Sequence, residues 1–127
     1  MPITVLVVDD SAMMRALIRR ALRLSGANVL VSEAANGREA LTVLETERID
    51  AVFTDLNMPV MSGSELLREM AARPWNHIKR VVVSTDGSTA RRDEVKDLMV
   101  THYVNKPFAP EMFRDVLDAI STEGVTN

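Results

Sequence analysis

Asp55 ends a short apolar run, Ile49 to Phe53, and the residues after it cannot continue a strand: Asn57, Pro59 and the pair Ser62-Gly63. A lone carboxylate at the carboxyl end of a buried strand sits where open α/β sheets bind their ligands. Four other reactive side chains take matching places. Asp9 and Asp10 follow the run Ile3 to Val8, Ser84 closes the run from Arg80, and Lys106 follows His102 to Val104. Three carboxylates gathered at one point repel each other unless a cation joins them. Mg²⁺ suits the role, because it takes oxygen ligands, keeps several waters and binds one or two carboxylates with a phosphate. Asp10 and Asp55 are the expected direct ligands, with the backbone carbonyl of Asn57 as a third and Asp9 acting through water or by orienting the others. Lys106 brings a compact charge for a phosphate or carboxylate oxygen, and Ser84 brings a hydroxyl donor. Nucleophile, metal, cation and hydroxyl are the parts of an in-line phosphoryl transfer. A carboxylate nucleophile makes the product an acyl phosphate.

Taken singly, each residue has an ordinary reading. Asp9-Asp10-Ser11 can simply cap a helix, Asp55 can be a turn residue, Lys106 a solvated lysine and Ser84 a strand-end hydroxyl bonded to backbone. Their joint placement is what marks a site, and it depends on the elements carrying them. The continuous apolar and β-branched run at 3–8 reads as a strand covered on both faces, 49–54 as a buried strand and 80–84 as a further strand. Shorter strands are expected at 28–32 and 102–104. Between them lie helical stripes: Met14, Leu17, Ile18, Ala21 and Leu22; then Ala40, Leu41 and Leu44, opened by a capping box from Asn36 to Glu39. A third helix, from about Ser62 to Ala72, buries Leu66, Leu67 and Met70, and Pro74 prevents its extension. A fourth runs to about Met99 on Val95, Leu98 and Met99. The last starts near Pro110 and buries Met112, Phe113, Val116, Leu117 and Ile120. Residues 121–127 read as a frayed polar tail.

Five strands alternating with five helices build a doubly wound parallel sheet through right-handed crossovers. The expected fold class is α/β, flavodoxin-like (βα)5, strand order 2-1-3-4-5, which puts the first and third strands side by side at the switch point. The 127 residues, 46% hydrophobic and 26% charged, read as one domain with a core of ordinary size. A net charge of −3 without a basic stripe leaves nucleic acid without an electrostatic footprint. Without cysteine there are no disulfides, thiolate metal sites or thiol catalysis. No apolar run reaches the roughly 20 residues of a membrane span, and the first residues lack the features of a signal peptide. The expected compartment is the cytoplasm.

The ordered set Leu6-Val7-Val8-Asp9-Asp10-Ser11, Thr54-Asp55-Leu56-Asn57-Met58-Pro59 with Gly63, Ser84, and Tyr103-Val104-Asn105-Lys106-Pro107-Phe108 resembles the receiver domain of two-component response regulators, from Val5 to about Ile120. The resemblance implies that Asp55 is the phosphoacceptor, that Asp9 and Asp10 are the acidic Mg²⁺ pair, and that Lys106 contacts the phosphate. It makes Ser84 the switch hydroxyl, with Thr85 as second choice, and Tyr103 the switch aromatic. It also implies a cis peptide before Pro107. The partners implied are a histidine kinase as phosphodonor and a downstream protein on the surface of helix four, strand five and helix five, in chemotaxis or another two-component pathway. The chain itself is then a monomer or weak dimer and not an enzyme, since its phosphotransfer is self-directed. Asn57 and Asp86 are expected to flank the path of an attacking water. Where the family often has Gly-Ala before the switch aromatic, this chain has Met99-Val100, so helix four lacks a glycine cap. The rival readings are a receiver-like scaffold that is never phosphorylated and an aspartyl-phosphate phosphatase. The phosphatase pattern has a second Asp two residues after its nucleophile, and position 57 is Asn.

Overall fold

The computed structural model describes residues 2–85 and 89–125, with side chains other than those of 89–91 and 122–125. In chain order the elements are β1 (Ile3–Val8), α1 (Ala12–Leu24), β2 (Val29–Ala34), α2 (Gly37–Thr46), β3 (Ala51–Thr54), α3 (Gly63–Ala71), β4 (Lys79–Ser84), α4 (Thr89–Val95), β5 (Val100–Asn105) and α5 (Pro110–Val125). The strands form one parallel sheet in the order β2-β1-β3-β4-β5, the flavodoxin-like arrangement expected from the alternation. Because each strand presents alternate residues to opposite faces, the central strands feed two cores. Val5, Val7, Phe53, Val81 and Val83 pack against Ile18 and Leu22 of α1 and Phe113 and Leu117 of α5. Leu6, Val8, Val52 and Val82 pack against Leu44 of α2, Leu66 and Met70 of α3 and Val95 of α4. Phe113 also takes the edge of Phe108, ring centres 4.9 Å apart at 79°, which anchors the segment just after Lys106. No helix among the described residues is long and apolar enough to cross a membrane.

Local signals place the helix starts. Ser11 caps α1 by accepting the Met14 N–H at 3.1 Å. Asn36 caps α2 by accepting the Glu39 N–H at 2.9 Å, but the return contact of the expected box goes one residue early. Glu39 Oε1 accepts the Ala35 N–H at 3.2 Å instead. The complete box belongs to α3, where Ser62 Oγ accepts the Glu65 N–H and Glu65 Oε1 accepts the Ser62 N–H.

Several expectations need correction: the third strand starts at Ala51 rather than Ile49, and the fifth runs Val100–Asn105 rather than 102–104. The second strand runs past residue 32 to Ala34, because pairing with β1 continues to Val8 and Ala34. Leu17 and Met112, expected inside, are 47% and 44% exposed; Leu17 lies at the margin of the stripe formed by Ile18, Ala21 and Leu22. Helix α5 continues to Val125 rather than giving way to a tail after Ile120, since no proline interrupts residues 121–125; Thr126 and Asn127 lie outside the described residues. The fourth helix ends at Val95, not Met99, because β5 begins at Val100 and pairs it with Arg80. Met99 then adopts φ 65°, taking the left-handed place that a glycine would fill at no steric cost. Val60 does the same at φ 72° while 70% exposed, and a β-branched residue there is a genuine outlier. Met99→Gly and Val60→Gly are each expected to raise stability by about 1 kcal/mol, read from urea midpoints. An unchanged or lowered midpoint would show that neither turn is strained.

Candidate functional site

The parallel strands end together at one edge, and the backbone there aligns the acidic residues before any side chain acts. The Asp9 N–H donates to the Ala34 carbonyl at 3.2 Å, and the Asp55 N–H donates to the Val8 carbonyl at 3.1 Å. Each carboxylate therefore starts from a fixed ladder position. The β3–α3 loop is folded tightly back on Asp55. The Gly63 N–H donates to the Leu56 carbonyl at 3.0 Å, and a Cβ on Gly63 would stand 1.8 Å from the Asp55 carbonyl oxygen. Thr54 Oγ1 donates to that same oxygen at 2.8 Å. From β5, the Lys106 N–H donates to the Ser84 carbonyl at 3.0 Å, and the Lys106–Pro107 peptide is cis, as expected.

Lys106 crosses the edge to both acids, its Nζ 2.9 Å from Asp9 Oδ2 and 3.2 Å from Asp55 Oδ2. Its side chain is 9% exposed, and those of Asp9 and Asp55 are 2% and 15%. Burial pulls the ammonium down, but its hydrogen bond to Asp9 and the charges of Asp55 and Asp9 outweigh it, so Lys106 titrates above its ordinary 10.5. The other Asp55 oxygen, Oδ1, accepts the Leu56 N–H at 2.7 Å and the Asn57 N–H at 3.3 Å. Asp10 is the exposed member of the group. Asp9, Asp10 and Asp55 each offer a carboxylate oxygen, all within 4.8 Å of one another. Three hard oxygen donors so close, with one lysine against them, fit a small divalent cation.

The neighbouring hydroxyls are told apart by burial: Ser84 is buried at the end of β4, whereas Thr85 is exposed. Tyr103 lies half-buried on β5 under Arg92, whose guanidinium sits 4.8 Å from the ring centre, and the phenol donates to the Arg92 carbonyl at 3.4 Å. Burial raises the Tyr103 hydroxyl above its ordinary 10.0, against the opposing charge of Arg92 and with the help of Asp93. Asn57 is exposed beside Asp55, and Asp86 lies outside the described residues. The edge thus gathers Asp9, Asp10, Asp55 and Lys106, with Ser84 and Asn57 adjoining. Two neighbours escaped the sequence reading. Arg92 carries no spacing signal that pairs it with Tyr103. Leu17, read as core, instead lines an apolar groove with Met14, Leu24, Pro107 and Phe108 that reaches Lys106.

A fold can host many functions, so resemblance in sequence across the whole site matters as well. The family model of the response regulator receiver domain matches residues 5–118. The chemotaxis protein CheY homolog of Campylobacter jejuni is 35% identical over 122 residues, covering 94% of this chain and 92% of the relative. Among solved structures, the chemotaxis protein CheY4 of Vibrio cholerae superposes with a TM-score of 0.84 at 31% identity, covering 94% of this chain and 99% of that one. The response regulator TrrA of Thermotoga maritima, solved in complex with Mg²⁺-BeF, gives 0.80 at 25% identity over 93% and 98%. The matched span runs from the strand that delivers Asp9 and Asp10 to the helix that follows Lys106, so fold, acidic edge and lysine are found together. The chain belongs to the response regulator receiver family and is a CheY-type, phosphorylation-regulated two-component switch.

Proposed function

We propose that Asp55 accepts a phosphoryl group from a histidine kinase, or from a small phosphodonor, with Mg²⁺ bound at the acidic edge. The observation that carries this is the convergence of Asp9, Asp10, Asp55 and Lys106, in a family where the Thermotoga relative holds Mg²⁺-BeF. When bound, Mg²⁺ would be held by Asp10 and Asp55, with Asp9 acting through water, and would neutralise charge on the transferring phosphoryl oxygens. The chain's own residues do the rest. An Asp55 oxygen attacks phosphorus in line, the new O–P bond forms as the P–N bond to the donor imidazole breaks, and the electron pair leaves with that ring. Two backbone N–H groups hold Asp55 Oδ1, which steadies the carboxylate for attack. Lys106 then trades a carboxylate oxygen for a phosphoryl oxygen.

The added charge draws the Ser84 hydroxyl to the phosphate. The vacated space admits Tyr103, which leaves Arg92 and changes the face formed by α4, β5 and α5. A downstream protein binds that face, so phosphorylation shifts an existing equilibrium by its differential interaction with two states. On this reading the chain acts in the cytoplasm, as a monomer or weak dimer, and turns over no substrate but its own phosphoaspartate.

The test is intact mass after incubation with acetyl phosphate, with and without Mg²⁺, with Asp55→Asn as the blank. The expected result is one phosphoryl mass on the wild type alone, and only with Mg²⁺. No gain with any donor overturns the phosphoacceptor reading in favour of a scaffold, and an equal gain on Asp55→Asn overturns it in favour of another acceptor residue. Steady release of phosphate from phosphoesters would make the chain a phosphatase.

A further inference from the structure

Asp10 receives no hydrogen bond from the described residues, so its direction depends on the backbone beneath it. That backbone is secured at Asp9. The Asp9 N–H is held by Ala34, Oδ1 accepts the Ser11 N–H at 2.9 Å, and Oδ2 accepts Lys106. The fourth tie comes from outside the acidic cluster: Arg15 Nη1 donates to the Asp9 carbonyl at 2.7 Å. That carbonyl belongs to the rigid peptide plane leading into Asp10, so fixing it fixes the plane from which the Asp10 side chain departs.

Arg15 is itself held. Its Nε donates to Glu33 Oε1 at 3.0 Å, while Glu33 Oε2 is taken by Arg19. The planar guanidinium presents its donors in a fixed fork, with one arm on β2 and another on the β1–α1 turn. The Arg15 and Glu33 side chains are 18% and 30% exposed, and ion pairs so accessible add little stability. Their geometry is what the turn uses. We propose that Arg15, oriented by Glu33, is a positioning residue that sets Asp10 for divalent-cation binding. The proposal rests on the Mg²⁺ reading above.

Charge and position predict opposite results here. Arg15 is a cation near a cation site, so by Coulomb attraction and repulsion alone its removal tightens Mg²⁺ binding. If it braces the turn, removal loosens binding, and lost outer-shell support typically costs 10- to 100-fold in metal affinity. Calorimetric titration of the full chain with MgCl₂ separates the two, using wild type, Arg15→Ala, Arg15→Lys and Glu33→Gln. About tenfold weaker binding is expected for Arg15→Ala. Arg15→Lys should also weaken it, because the charge stays but the fork is gone, and Glu33→Gln should fall between these and wild type. Without metal, backbone amides of residues 10–14 should exchange faster in each variant while the unfolding temperature moves little. Unchanged or tighter Mg²⁺ binding in both Arg15 variants overturns the brace. Absence of binding in the wild type overturns the Mg²⁺ reading and the brace together.

Discussion

Lys106→Met is expected to cost the metal-free protein about 3 kcal/mol at neutral pH, because removing one partner strands a buried charge. Asp9, with its side chain 2% exposed, keeps only the Ser11 N–H on its carboxylate and faces Asp55 with no cation between them. Methionine preserves the apolar stem of the lysine, so the loss reports the ammonium and not a cavity. The sign with pH follows from the raised lysine. Its contribution is fully present below 10.5 and is lost as pH climbs through the higher folded-state value. The gap between wild type and variant should therefore be level at neutral pH and narrow above about 10.5. Mg²⁺ should close part of it as well, since a ligand at 100 times its Kd stabilises by about 2.7 kcal/mol and the variant has lost a competing cation. Urea unfolding in EDTA at pH 7 and at alkaline pH, then with MgCl₂, gives all three results. A variant as stable as wild type in EDTA would mean that the acids do not depend on Lys106. On the proposed mechanism the same change also slows phosphorylation by about 10²-fold, the scale of losing one preorganised charge contact.

The doubly wound parallel sheet was legible in the sequence because it follows from alternation and handedness, and 2-1-3-4-5 is the common one of the orders these allow for five strands. Strands β1, β3 and β4 were legible because burial on both faces favours short, nearly continuous apolar runs, as in Val81-Val82-Val83. The errors fall where a distant partner decides. Glu33 and Ala34 carry no strand signal of their own and are extended because β1 is beside them. Leu98 and Met99 fit a helical stripe, yet Arg80 takes the Leu98 carbonyl at 3.2 Å and the Trp75 carbonyl at 3.0 Å. Arg80 is wholly buried, with its Nε left without a partner and its pKa lowered by burial. Nothing in a single sequence says that an arginine near the start of a strand lies inside and answers two carbonyls from separate loops.

The candidate site was legible for a related reason: residues at strand ends inherit their position from the sheet. Its internal pairing was not. Asp9 and Asp10 are adjacent in sequence, but one is buried against Lys106 and the other is exposed. Ser84 and Thr85 are equivalent in composition until the end of β4 separates them: Ser84 is the last residue of the buried strand and Thr85 lies exposed just past it. Arg15 is indistinguishable in the sequence from Arg19, Arg20 and Arg23. Only the β1–α1 turn and the far end of β2 together single it out.

Gly63→Ala should lower stability by about 3 kcal/mol, at the upper end of overpacking costs, and reduce the unfolding temperature by about 10 °C. The added Cβ would stand 1.8 Å from the Asp55 carbonyl oxygen, 2.8 Å from its carbon and 2.9 Å from the Leu56 Cα. All three obstacles are backbone, so none can yield as the end of a flexible side chain would. The start of α3 must retreat by roughly an ångström in a close-packed interior, and the bond from the Gly63 N–H to Leu56 must break. Gly26→Ala is the control for glycine replacement as such. Gly26 has φ 86° with no atom within 4 Å of its notional Cβ, so that change should cost only about 1 kcal/mol, from backbone strain. The damage at Gly63 would reach the chemistry too, because Asp55 hangs from the displaced carbonyl. A nucleophile moved by about 1 Å reacts roughly 10²-fold more slowly. Phosphorylation by acetyl phosphate, followed below the unfolding temperature, should show that loss for Gly63→Ala and none for Gly26→Ala. Equal stabilities for the two variants would mean that the loop can move away from α3 without cost, and that the close approach of Gly63 is not what holds Asp55 in place.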